Sequence, residues 1–155
     1  MIIYSKSIKK NFFISSKHTC DGSNQSPHLK WKPIRDAKSY VVICTDPDHD
    51  NGFLFVHWIV SYIPPHITEL KAGAAKKKFI KQGSNSNKVN SYVGPCPDKT
   101  NSIHSYYLYV YALDISLKNK IFVSLVQIYD SILGHILASG SIIFFYKRKN
   151  KKSLI

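Results

Sequence analysis

From Ser105 to Leu113 the chain alternates without a break, with Tyr106, Leu108, Val110 and Ala112 on one face and Tyr107, Tyr109, Tyr111 and Leu113 on the other. A period of two sustained over that length, in aromatic and aliphatic residues, is the pattern of a strand whose faces meet different surroundings. A helix would scatter the same side chains around its whole circumference. Tyr40 to Thr45 is β-branched and almost wholly apolar, which predicts a strand buried on both faces. The chain is therefore expected to form around a sheet that is covered on each side.

Turn signals divide the remainder in the same manner. Asp46-Pro47-Asp48 ends the apolar run, because proline cannot donate to a ladder and aspartate favours turns. A further strand is expected over Phe53 to Ile63, closed by Pro64-Pro65, with Phe55, His57 and Ile59 on one face and Val56, Trp58 and Val60 on the other. Residues 82 to 103 are rich in Ser, Asn, Gly and Pro, and so long a loop in a compact domain usually serves function. Phe122, Leu125, Val126, Tyr129, Ile132 and Leu133 recur at spacings of three and four, predicting an amphipathic helix over Phe122 to Leu133 that stops at Gly134. A last strand is expected over His135 to Tyr146. Many strands with one late helix point to a mainly β architecture, not a βαβ array.

At 155 residues the chain suits one domain, taken as residues 1–146, followed by a basic, disordered tail over 147–155. Its apolar and aromatic content excludes disorder of the whole. The formal charge of +13 favours anionic partners, although Lys76-Lys77-Lys78 and the stretch from Lys147 to Lys152 hold much of the excess. Cys20, Cys44 and Cys96 show no Cys-x-x-Cys spacing, so free thiols in a reducing compartment are the expectation. One Cys20–Cys96 bridge stays open, since both residues lie in loops. The apolar run after Lys9 and Lys10 is too short for a signal peptide and nothing approaches a membrane span, so a soluble, cytoplasmic protein is expected.

The chemistry-bearing residues cluster at strand ends. Asp46 and Asp48 flank a proline, where paired carboxylates can act as acid and base, ligate a hard cation, or simply make a turn. His57 lies mid-strand among bulky apolar neighbours, as core histidines do, and His104 opens a strand just after the long loop. No His-x-x-x-His or cysteine spacing supports a metal, and no Gly-x-Ser-x-Gly, Walker or Rossmann pattern occurs. Cys96 has no adjacent cation to make it a thiolate nucleophile for His104 to serve. No catalytic residue, cofactor or metal is assigned.

The order of these islands carries more than any one of them. Thr19-Cys20-Asp21-Gly22 and Ser26-Pro27-His28-Leu29-Lys30-Trp31 are followed by Asp46-Pro47-Asp48, Val56-His57-Trp58-Ile59-Val60 and Gln82-Gly83-Ser84-Asn85. Tyr92-Val93-Gly94-Pro95-Cys96-Pro97, His104-Ser105-Tyr106, Tyr111-Ala112-Leu113-Asp114 and Gly134-His135-Ile136-Leu137-Ala138 complete the series. Over roughly residues 12 to 146 this resembles the phosphatidylethanolamine-binding protein family, in its bacterial and archaeal Raf-kinase-inhibitor-like branch. The resemblance implies a Greek-key antiparallel β-sandwich with one late α-helix, a few short helical turns, and a small anion-accepting pocket at one end. Its ligand-binding residues would be Asp46, Pro47, Asp48, His57, Gly94, Pro95, His104 and Tyr106, with Pro47 and Pro95 the places for a cis peptide bond.

The same resemblance implies a regulatory binding module, not an enzyme. It would hold phosphate, phosphoethanolamine or another anionic or phospholipid head group, with affinity rising below about pH 7 through its histidines. A protein kinase or phosphoprotein is the implied partner and a homodimer is allowed for; no specific nucleic acid is implied, and the basic tail would make only weak membrane-surface contact. The alternatives are an inhibitor of a kinase or hydrolase with an incidental pocket and, third, a hydrolase using Asp46, His57 and His104. The chain departs from the family pattern at Asp98, which replaces a proline, at Ser105, which replaces a cation, and within His49-Asp50-Asn51, which lacks the usual proline. These changes bear on the ligand, not the fold.

Overall fold

The computed structural model describes residues 1–98 and 102–148. Its elements run β1 (Ile3–Tyr4), β2 (Leu29–Trp31), β3 (Ser39–Asp46), β4 (Phe55–Ile63), β5 (Glu69–Leu70), β6 (Lys81–Gly83), β7 (Ile103–Leu113), α1 (Leu125–Ile132) and β8 (Ile136–Lys147), with short 3₁₀ turns at Ser16–His18 and Ala74–Lys76. All strand pairs are antiparallel. They form a three-stranded sheet of order β1-β2-β5 and a five-stranded sheet of order β6-β4-β3-β7-β8. Within the larger sheet the sequence β7-β3-β4-β6 is a Greek key, with β5 diverted into the other sheet.

The two periodicities read from the sequence explain the packing. On β7, Tyr106, Leu108, Val110 and Ala112 are fully buried and face Trp31, Leu29 and Leu70 of the small sheet in one core. β3 is buried along its entire length. Tyr40, Val42 and Cys44 join that core, while Val41 and Ile43 join a second one under Leu117, Phe122, Ile128 and Ile132. Each face of β3 is thus sealed, as its apolar run requires.

Two expectations are corrected. The helix begins at Leu125, because Ser124 caps it by accepting the Gln127 N–H at 3.3 Å. Its buried stripe is Ile128 and Ile132, backed by Leu125 and Tyr129, and Val126 and Leu133 face solvent. On β4, strict alternation fails at His57: Thr45 pairs with Val56 and Cys44 with Trp58, leaving His57 as the extra residue of a β-bulge. Val56 therefore packs against the second core, not beside Trp58 and Val60.

The last strand also runs one residue past Tyr146, and Arg148 pairs with Asp21 at 3.6 Å. Residues 149–155 of the expected tail lie outside the described residues. Among the described residues no helix is long and apolar enough to cross a membrane.

Candidate functional site

The antiparallel register brings the end of β3 beside the beginnings of β4 and β7, with Asp46 opposite Phe55 and Thr45 opposite Tyr107. Asp46, His57, His104 and Tyr106 consequently reach one end of the sheet. With Gly94 they line a cavity of about 270 Å³. That volume suits a small polar group better than a drug-sized molecule.

Each polar group there has a definable state. Asp46 is buried, and both of its oxygens are engaged: Oδ1 accepts the Asp48 N–H at 2.7 Å and Oδ2 meets His104 Nδ1 at 2.8 Å. Asp46 thus orients His104 and offers no free oxygen pair to a ligand. His57 Nδ1 lies 2.6 Å from the Val93 carbonyl, which can only accept, so Nδ1 carries the hydrogen and Nε2 presents a lone pair. Burial lowers the His57 pKa to about 4, against an opposing pull from the Val93 carbonyl. Tyr106 stacks on Phe144, and burial, followed by the nearby Asp46, pushes its phenol well above the ordinary range, keeping it a hydrogen-bond donor.

Among the described residues, His57 Nε2 and the Tyr106 hydroxyl are buried and have no hydrogen-bond partner. The two rings meet edge to face, with centroids 5.3 Å apart. Buried polar atoms are nearly always satisfied, so two orphans in one cavity call for an explanation.

The wall opposite is a clamped turn. Val93 N–H donates to the His57 carbonyl at 3.0 Å, Gly94 N–H to Asn24 Oδ1 at 2.8 Å, and Cys20 N–H to the Pro95 carbonyl at 3.1 Å. A Cβ on Gly94 would overlap the His18 carbonyl and Asn24, so only glycine permits this approach. A Cys20–Cys96 disulfide completes the clamp, which corrects the expectation of free thiols; Cys44 alone is a buried free cysteine. Tying Cys96 into this bond also removes it as a nucleophile.

Not every expected residue reaches the cavity. Asp48 points to the backbone of β7, where its Oδ2 accepts the Ser105 N–H at 2.8 Å. Neither Pro47 nor Pro95 lines the cavity, and no peptide bond among the described residues is cis. Conversely, His49, Phe55, Asn87, Val93, Pro97 and Asp98 do line it. His49 stacks flat on Phe55 at 4.5 Å, a pairing the sequence did not signal because the residues lie on opposite sides of a turn. Among the described residues no group of three or more His, Cys, Asp or Glu side chains is placed to hold a metal ion.

The family model for phosphatidylethanolamine-binding proteins matches residues 4–147. The chain belongs to the phosphatidylethanolamine-binding protein family. A UPF0098 protein of Pyrococcus horikoshii is 38% identical over 146 residues, spanning 90% of this chain and 73% of the relative. Among solved structures, the family homologue CT736 of Chlamydia trachomatis superposes with a TM-score of 0.86 at 33% identity, covering 96% of this chain and 97% of its own. YbcL of E. coli, described as a new member of the mammalian family, gives 0.82 at 27% identity, with 95% and 98% covered. Membership in the phosphatidylethanolamine-binding protein family supports a general ligand-binding role, and the β-sandwich fold agrees with it.

Proposed function

We propose that the cavity binds the phosphate of a small anionic ligand such as phosphoethanolamine, and that the chain acts as a regulatory binding protein, not a catalyst. The supporting observation is the pair of orphans, His57 Nε2 and the Tyr106 hydroxyl. A monoprotonated phosphate matches them: one oxygen accepts from the phenol and the P–OH donates to the imidazole lone pair. A ligand that brings its own proton also restates the pH dependence. Affinity rises as pH falls through the phosphomonoester pKa near 6, and the titrating group is the ligand rather than His57.

Calorimetry with phosphoethanolamine and inorganic phosphate on wild type and Tyr106→Phe tests this reading. The variant should bind at least about tenfold more weakly, yet be equally or more stable, because it deletes an unsatisfied buried hydroxyl. Equal affinity in both proteins, or no binding to wild type, would overturn the proposal.

By family likeness the regulated partner is a protein kinase or phosphoprotein. A Tyr106→Phe protein that still inhibited such a partner would favour inhibition with an incidental pocket. The hydrolase reading predicts turnover of a phosphatase, esterase or peptidase substrate that disappears in Asp46→Asn. A cytoplasmic location stays part of the proposal and requires the Cys20–Cys96 bond to withstand a reducing thiol pool. Alkylation of protein taken directly from its own cells would decide it: blocked Cys20 and Cys96 fit an oxidised state, labelled ones a reduced state.

A further inference from the structure

His104 is held between two carboxylates. Asp46 Oδ2 takes Nδ1 at 2.8 Å, and Asp50 Oδ1 lies 3.3 Å from Nε2. Each ring nitrogen thus faces a carboxylate oxygen. The other Asp50 oxygen, Oδ2, accepts the Asp98 backbone N–H at 2.7 Å. That N–H, ahead of the His104 contacts, holds the Asp50 carboxyl below its usual range. One carboxylate therefore lies 3.3 Å from an imidazole nitrogen and accepts a main-chain N–H, both from residues that line the cavity. Those are the groups an entering oxyanion would seek.

Asp50 reaches this place from the surface turn between β3 and β4. Gly52 closes the turn in the left-handed region at φ +77°, donating to the His49 carbonyl at 2.9 Å, and Asn51 Oδ1 accepts the Phe53 N–H. The turn is exposed, and what draws Asp50 inward is its contact with His104 and the hydrogen bond it accepts from Asp98.

We infer that Asp50 is a specificity-determining residue: its carboxylate occupies the oxyanion seat beside His104, so a bare anion must displace it, while a ligand with a cation next to its anion can pair with it. This rests on the phosphate-binding reading of the cavity. The tethered carboxylate competes at every ligand concentration, as any intramolecular group does. It lowers affinity for inorganic phosphate more than for an aminoalkyl phosphate.

The experiment compares inorganic phosphate with phosphoethanolamine by calorimetry on wild type, Asp50→Asn, Asp98→Pro and Asp98→Asn, and follows His104 in ligand-free protein by imidazole NMR. Asp50→Asn should raise phosphate affinity about tenfold, the worth of roughly one charge-assisted hydrogen bond, and change phosphoethanolamine less than about threefold. Asp98→Pro, which deletes the anchoring N–H, should shift the ratio the same way, and further than Asp98→Asn, which keeps that N–H. The His104 signals should move in Asp50→Asn without any ligand. If wild type binds both probes and no variant changes their ratio, the inference is wrong and the binding reading stands. If no protein binds either probe, both fall. Unmoved His104 signals in Asp50→Asn would overturn the inference independently of binding.

Discussion

His57 is held in a state that suits the cavity and makes the fold sensitive to acid. Burial leaves its ring neutral at physiological pH, with the folded pKa near 4 against about 6.5 in an unfolded chain. Between those values the unfolded state binds more protons, so stability is complete above about pH 6.5 and falls as pH drops toward 4. The full loss is roughly 3 kcal/mol. His18, also lowered chiefly by burial, contributes with the same sign, so the diagnostic quantity is a difference between proteins. Urea unfolding of wild type and His57→Gln from pH 4 to 7 should give curves that converge toward pH 4, the variant lacking part of the wild-type slope. Parallel curves would mean that His57 is not buried neutral. The identity of this residue was legible in the sequence, but its environment was not, because a lone histidine between apolar neighbours looks the same in a core and in a pocket.

At the scale of elements, legibility follows the range of the interactions that set each feature. β3 and β7 are readable because their patterns are local: β3 is buried along its whole length, and β7 alternates buried with half-buried residues. The helix starts later than the spacing predicts because Phe122 is buried without being helical and so extends the apolar spacing backward. The β4 bulge has no local signal: it exists because β3 and β4 must register on both sides of His57. The turn carrying Gly94 is likewise defined by its distant clamp. Gly94→Ala forces the turn away from residues 18–24 and should cost about 1–3 kcal/mol, as overpacking does. The disulfide closes a segment with a sequence separation of 76, for which chain entropy predicts a contribution of about 4 kcal/mol. Cys20→Ser/Cys96→Ser should therefore unfold at markedly lower denaturant, and reducing agent should lower the wild type to the same midpoint while leaving the double variant unchanged. A reductant-insensitive wild type would show that the thiols are unpaired in solution.

For the whole molecule, charge acts at two places that oppose each other. Lysine and arginine outnumber aspartate and glutamate by 22 to 9, yet Asp46, Asp50 and Asp98 gather around the cavity. A net positive field draws anions in, and on the proposed function the rim selects among them. Adsorption to an anionic surface and occupation of the cavity should consequently separate. Lys147 ends β8 and Arg148 pairs with Asp21, so a chain ending at Arg148 removes Lys149, Lys151 and Lys152 without disturbing that pair. At about 1 kcal/mol for each basic residue near an anionic bilayer, this truncation should weaken sedimentation with phosphatidylserine vesicles on the order of 100-fold at low salt. Several hundred millimolar salt should weaken wild-type adsorption in the same way, since the Debye length then falls well below 10 Å. Calorimetric phosphoethanolamine binding should survive the truncation, and Tyr106→Phe should do the reverse, losing phosphoethanolamine while still sedimenting. Vesicle binding lost in Tyr106→Phe but kept in the truncated chain would show that the cavity itself reads the membrane, with the tail a bystander.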